Sequence, residues 1–194
     1  VMVDWVANHV HEDHEWWADH PDWFNEEHIC DEDDDGDGIV NWDQRPETCW
    51  FASYLPDINY RVTEPTVAQI DEAIAFAKTW DIDGMRVDAV KHMEPEGLKV
   101  ATKALRAHYD GGSARHLLFG ESFSGDEGLL KSYIGPDQLD SQLNFPWWFA
   151  VPETVFGRDD QGLQTAKNTT LWDINAFGPL MVRFIGSHDS ARFI

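Results

Sequence analysis

Three acids in this chain each stand at the end of a short strand-like run: Asp88 after Gly84-Met85-Arg86-Val87, Glu121 after Arg115-His116-Leu117-Leu118-Phe119-Gly120, and Asp189 after the run from Leu180 to Gly186. Histidines accompany two of them, with His92 beyond Asp88 and His188 beside Asp189. A fourth run, Val1 to Val6, leads to Asn8 and His9. In an extended strand the side chains alternate faces, so Gly84, Arg86 and Asp88 share one face while Met85 and Val87 take the other. A guanidinium held beside a carboxylate favours the ionised acid, as a nucleophilic Asp requires. Paired carboxyl groups suit acetal chemistry: hydrolysis of a sugar–sugar bond with retention uses two acids about 5–5.5 Å apart, one attacking and one transferring protons. A third carboxylate can stabilise the positive charge of the transition state. For any one of these acids, a structural ion pair or a helix cap is the plainer reading; for all three together, convergence on one pocket is the expectation.

Such convergence needs strands that all run the same way. Asp88 and Glu121 are one strand–helix–strand unit apart, which takes about 30 residues or more. Glu121 to Asp189 leaves room for two such units, and Asp4 to Asp88 for one unit plus an excursion. Helices are predicted from Thr63, with a capping residue and Pro65 in its first turn, to Trp80, and from Pro95 to Tyr109. The first presents Val67, Ile70, Ile74 and Ala77 on one face; the second presents Leu98, Ala101 and Leu105 and stops at Asp110-Gly111-Gly112. A strand near Leu139–Asn144, a helix near Trp147–Phe156 and a strand over Leu180–Gly186 follow. Alternating strands and helices imply a parallel sheet. Polar residues at the C-terminal strand ends point to the rim of a β/α barrel. An open doubly wound sheet is the alternative, but it would carry a glycine-rich phosphate turn, which is missing.

The formal charge of −22 on 194 residues repels nucleic acid and anionic membranes and suits a neutral or cationic ligand, with which uncharged carbohydrate is compatible. No apolar run of about 18 residues is present to span a membrane. The chain opens at Val1-Met2-Val3, inside an expected strand, which reads as a truncated copy.

From His11 to Tyr54 the composition turns to Trp, Asp, Glu and His with no regular period, an excursion too long for a plain loop. Asp33, Asp35 and Asp37 alternate there, and Gly38, Val40 and Asn41 follow. The spacing fits an oxygen-ligand calcium loop, although Gln44 stands where the closing acid is expected. A solvated acidic turn is the rival reading. Cys30 and Cys49 flank this loop; they either form a disulfide, implying an oxidising compartment, or remain reduced thiols. Tyr54, Trp50, Trp147 and Trp148 are candidate stacking surfaces for sugar rings, with core packing the default for at least half of them.

Asp4-Trp5-Val6-Ala7-Asn8-His9, Gly84 through His92, Phe119-Gly120-Glu121 and Phe184 through Asp189 resemble, in order and spacing, the four signature regions of the α-amylase family of glycoside hydrolases. Leu55-Pro56-Asp57-Ile58-Asn59 resembles its fifth. The resemblance implies an α/β fold, a partial (β/α)8 TIM barrel with an irregular calcium-associated insertion after strand 3. Residues 1–9 would be barrel strand 3, 10–56 the inserted domain B, and 57–194 barrel helix 3 to strand 7. With the other strands missing, apolar sheet edges and helix faces are expected to be exposed, and the fragment to be inactive by itself.

The resemblance also implies roles. Asp88 would be the nucleophile, Glu121 the general acid/base and Asp189 the transition-state stabiliser. Arg86 would hold Asp88; His9, His92 and His188 would bind the sugar at the cleaved bond, and Lys91 the next glucose on the leaving-group side. Asn8, Asp57 and the carbonyl of His92 would hold Ca2+, with Asp33, Asp35 and Asp37 a separate candidate site. The expected activity is cleavage of α-1,4-glucosidic bonds in starch-like glucans by a secreted monomer with no nucleic-acid or membrane partner. A related α-glucosidase or transglycosylase, or a non-catalytic calcium- or sugar-binding module, is the alternative. Asn168-Thr169-Thr170 is a glycosylation sequon.

Overall fold

The computed structural model of the chain describes residues 1–109, 116–155 and 181–189. Asp110-Gly111-Gly112, the sequon and Leu180 lie outside them. The chain divides into two compact units, Val1–Leu118 and Phe119–Ile194.

The first unit begins with strand β1 (Met2–Trp5) and enters the excursion, which carries helices α1 (Glu15–Asp19) and α2 (Asn41–Gln44). It continues with helix α3 (Thr63–Trp80), strand β2 (Gly84–Val87) and helix α4 (Pro95–Tyr109). β1 and β2 are parallel, with Met2 opposite Gly84 and Trp5 opposite Val87. Met85 and Val87 are buried, as the alternation requires. Beyond β2, Ala89 adopts a left-handed φ of 50°, a conformation that costs a residue with a Cβ and breaks the strand. A 3-10 turn, Val90–His92, follows.

The long helices keep their expected bounds, but α3 is rotated from its expected phase. Pro65, Thr66, Gln69, Ile70, Ala73 and Ala77 are buried, whereas Val67 is exposed. Trp5 explains the turn: its indole Nε1 donates to Gln69 Oε1 at 3.2 Å, drawing a polar side chain inward. Thr63 is the first helical residue and not the cap; Val62 holds that position without a side-chain bond. On α4, Leu98, Ala101 and Leu105 are fully buried. An apolar groove of about 610 Å³ runs beside β1 and α3, lined in part by Val6, Phe76 and Trp80, all substantially exposed.

The excursion returns antiparallel to its own exit. His9 bridges Asp57 and Phe24 bridges Ile58, while the Ile58 amide donates to the Asn8 carbonyl at 2.9 Å. Cys30 and Cys49 are disulfide-bonded. Trp50 is buried, its Nε1 donating to the Asn25 carbonyl, and its ring meets Trp17 edge-on at 5.4 Å. Trp50 is therefore core and not a sugar platform.

The second unit carries the end of strand β3 (Leu117–Gly120), helix α5 (Glu127–Ser132), strand β4 (Ser141–Gln142) and helix α6 (Phe145–Val155). Phe119–Gly120 and β4 are parallel, and Leu143 forms a parallel bridge with Val182. The strand expected over Leu180–Gly186 is, among the described residues, only that bridge. Asp126 caps α5 by accepting from the amides of Gly128 and Leu129. Phe145 meets Phe123 at 4.8 Å and Phe184 at 5.0 Å, forming an aromatic layer. Among the described residues no helix is long and apolar enough to cross a membrane.

Gly84 is required by close approach, since a Cβ there would run into the Leu117 carbonyl oxygen. Gly84→Ala is expected to destabilise the protein by about 1–3 kcal/mol, read as a lowered urea midpoint. An unchanged midpoint would mean that the Leu117 backbone yields freely.

Candidate active site

The parallel register sets Asp4 beside Arg86, and alternation sets Asp88 on the same face as Arg86. The guanidinium consequently serves both acids. Arg86 Nη1 donates to Asp4 Oδ1 and Oδ2 at 2.7 Å and to Asp88 Oδ1 at 2.6 Å. Its side chain is 14% exposed, so the contact with the mostly buried Asp88 is only weakly screened, whereas that with the half-exposed Asp4 is screened more. Asp4 as a second partner escaped the sequence reading, because nothing local shows which residue of another strand lies alongside.

His9 and His92 follow the two strand ends. Burial lowers the pKa of His9, against the raising influence of Asp88. Burial and the charge of Lys91 bring His92 down to about 4. The His92 ring lies 4.3 Å from Trp42 and 4.7 Å from Phe51, and Phe51 meets His9 at 5.3 Å. His92 Nδ1 faces the Pro46 carbonyl at 2.7 Å, whereas its Nε2 has no hydrogen-bond partner among the described residues. Lys91 is mostly buried, which lowers its pKa, and it pairs with Asp43 at 3.7 Å. Tyr54 stays half exposed, 5.8 Å from His11.

A second polar cluster is fully internal. Asp57 accepts from Asn8 Nδ2 and Asn25 Nδ2, each at 2.8 Å. Asn25 Nδ2 also reaches Glu94 Oε1 at 3.3 Å, and Glu94 Oε2 accepts from the Tyr60 amide at 3.1 Å. Burial pushes the Asp57 carboxyl well above the usual range and raises that of Glu94. Asn25 and Glu94 were missed in the sequence: neither lies in a signature stretch, and only folding brings them to Asp57. In the excursion loop, carboxylate oxygens of Asp33, Asp35 and Asp37 lie within 4.8 Å of one another. Gln44 Nε2 donates to Asp35 Oδ2 at 2.8 Å.

The other two acids belong to the second unit. Glu121 is buried directly after β3. Asp189 is half exposed and lies 3.1 Å from His188 Nε2. Trp147 is half-buried, with Arg183 5.5 Å from its ring centroid, and Trp148 stacks on Phe184.

The profile of the alpha-amylase catalytic domain matches residues 1–194. The chain belongs to the alpha-amylase family. An alpha-amylase of Streptomyces lividans is 33% identical over 130 residues, covering 60% of this chain and 13% of its own length. Among solved structures, an Anoxybacillus alpha-amylase aligns with a TM-score of 0.79 at 27% identity, covering 99% of this chain and 40% of that one. The Geobacillus thermoleovorans alpha-amylase, solved with acarbose, aligns at 0.71 and 26%, covering 90% of this chain and 37% of that one. The chain thus spans well under half the length of these relatives. Its parallel strands and intervening helices are part of the (β/α)8 barrel of the alpha-amylase catalytic domain, a glycoside hydrolase fold.

Replacing Arg86 leaves two carboxylates facing each other with their shared cation gone. Arg86→Met is expected to cost about 1–3 kcal/mol of stability, less than breaking a fully buried pair because Asp4 is partly solvated. Chemical denaturation would read this as a lowered midpoint, and an unchanged one would show that the ion chain contributes nothing.

Proposed function

We propose that this chain is the catalytic part of a retaining glycoside hydrolase that cleaves α-1,4-glucosidic bonds of starch-like glucans. The observation that carries the reading is the Asp4–Arg86–Asp88 chain, which holds a carboxylate in fixed orientation at the C-terminal end of a parallel strand. Asp88 attacks the anomeric carbon while Glu121 gives its proton to the departing oxygen. Glu121 then takes a proton from water, which attacks the glycosyl ester and releases Asp88. Asp189 stabilises the positive charge that develops in the transition state. His9, His92 and His188 bind hydroxyls at the cleaved bond, Lys91 binds the next sugar on the leaving-group side, and Tyr54 offers a stacking face. In the family's arrangement residues 1–9 supply barrel strand 3, 10–56 the inserted domain, and 57–194 helix 3 to strand 7.

Calcium fits the donors present. Asn8 and Asp57 are buried, and Asp57 and Glu94 bring two acids together, with the mostly exposed Arg61 3.9 Å from Glu94. A hard divalent cation suits amide, carboxylate and carbonyl oxygens, so Asn8, Asp57 and the His92 carbonyl would hold it. Bound there, it would neutralise buried negative charge and tie the excursion to the strand ends. Asp33, Asp35 and Asp37 would hold a second ion. The disulfide supports a secreted protein, and the charge of −22 supports a monomer without nucleic-acid or membrane partners.

With maltoheptaose, the full-length protein should release internal-cleavage products of retained configuration. Glucose released only from chain ends would favour an α-glucosidase, and longer products a transglycosylase. Asp88→Asn should lose about 10³-fold or more in kcat; near-normal turnover would contradict the nucleophile. In equilibrium dialysis, Asp57→Asn and Asp35→Asn should each remove a separate class of calcium site, and a protein that binds no calcium would defeat the metal assignment.

A further inference from the structure

We propose that Trp42 and Asp43, on the short helix α2 of the excursion, are positioning residues that aim Lys91 at the sugar on the leaving-group side. This rests on the substrate role proposed above for Lys91. A lysine side chain is long and flexible, and holding it in one geometry costs rotamer entropy. Something must therefore restrain Lys91 if it is to contact one sugar reproducibly.

The restraint comes from two directions. Lys91 Nζ lies 4.8 Å from the centroid of the Trp42 ring and 3.7 Å from Asp43 Oδ1. The side chain of Lys91 is 13% exposed and that of Asp43 68%, so the ring contact acts with reduced screening by water while the carboxylate adds a weaker, partly screened attraction. An ammonium has three donors, and these two contacts leave capacity for a hydroxyl. The neighbouring carboxylate offsets the charge of the ammonium, which suits an uncharged polyol better than an anionic sugar.

A helix of four residues has little stability by itself, so α2 must be held by its surroundings. The Trp42 amide donates to the Cys30 carbonyl and the Asn41 amide to the Glu32 carbonyl, both at 2.7 Å. Asn41 is fully buried and its Nδ2 donates to the Ile29 carbonyl at 2.8 Å. Cys30 is itself tied to Cys49. The Trp42 ring also packs on His92, so one aromatic side chain braces two consecutive residues of the turn after β2.

The test compares kinetics of the full-length protein on maltoheptaose and on an aryl maltotrioside, whose leaving group is not a sugar. Asp43→Asn should raise KM for maltoheptaose roughly 3- to 30-fold while leaving the aryl substrate within about twofold, and Trp42→Leu, which also removes the packing on His92, should raise KM more for maltoheptaose than for the aryl substrate. Trp42→Phe, which keeps an aromatic face, should recover most of the loss. In a Lys91→Met background, Asp43→Asn should add nothing further, because it acts through the Lys91 ammonium. Calorimetric titration of maltoheptaose into the corresponding Asp88→Asn proteins should show the same ratios in Kd. Equal losses on both substrates, or additive losses in the double variant, would overturn the positioning role. If Lys91→Met loses selectively but Trp42→Leu and Asp43→Asn do not, the positioning role alone fails. If Lys91→Met is normal on both substrates, the substrate role of Lys91 fails and the positioning role with it.

Discussion

A guanidinium shared between two carboxylates is the interaction around which the first unit is arranged. Arg86 can serve Asp4 and Asp88 together only because β1 and β2 run parallel and in register. One acid comes from the neighbouring strand and the other from two residues along the same strand. Slipping the register by one residue would turn Asp4 to the opposite face and leave Arg86 and Asp88 beside an apolar side chain. The close approach of Leu117 to Gly84 and the left-handed turn at Ala89 frame this strand at its two ends. Backbone geometry and charge pairing thus depend on each other here.

The excursion solves a different problem, since a segment with little regular structure must satisfy its backbone and hold its shape. It does so by folding back on its own exit, by the disulfide, and by edge-on contacts among Trp17, Phe24 and Trp50. Its polar interior is shared with the barrel strands. Asn8 comes from the end of β1, Asn25 and Asp57 from the excursion and its return, and Glu94 from the turn before α4. Burying acids from separate segments in one cluster carries a desolvation cost that amide donors offset only in part. The same cluster holds these segments together, and Trp42 reaches the neighbouring turn from another part of the excursion.

The second unit uses aromatic packing more than charge. Phe123, Phe145, Trp148 and Phe184 form a layer beside the chain that follows Glu121 and the chain that leads to Asp189. Ring edges against ring faces supply directional contacts where strands are short. Elements of two or a few residues, such as β4 and the Val182 bridge, need this kind of support, because their own ladder bonds are few.

Much of this was legible in the chain itself. The bounds of α3 and α4, the buried face of α4, and the acids that end the strands follow from local rules, in which a period of 3.6 or 2 and the chemistry of the strand ends act within a few residues. What the sequence left open depends on partners distant along the chain. Cys30 and Cys49 could have been thiols until folding joined them. Gln69 turned inward, and Val67 outward, because Trp5 lies across from α3. Asp4 joined Arg86, Glu94 joined the Asp57 cluster, and Trp42 joined Lys91 through contacts between segments that no local pattern links. Periodicity states which side of an element is apolar; only the packed structure decides which residue of another segment meets it, because that choice is made by the combined registers and burial of the whole chain.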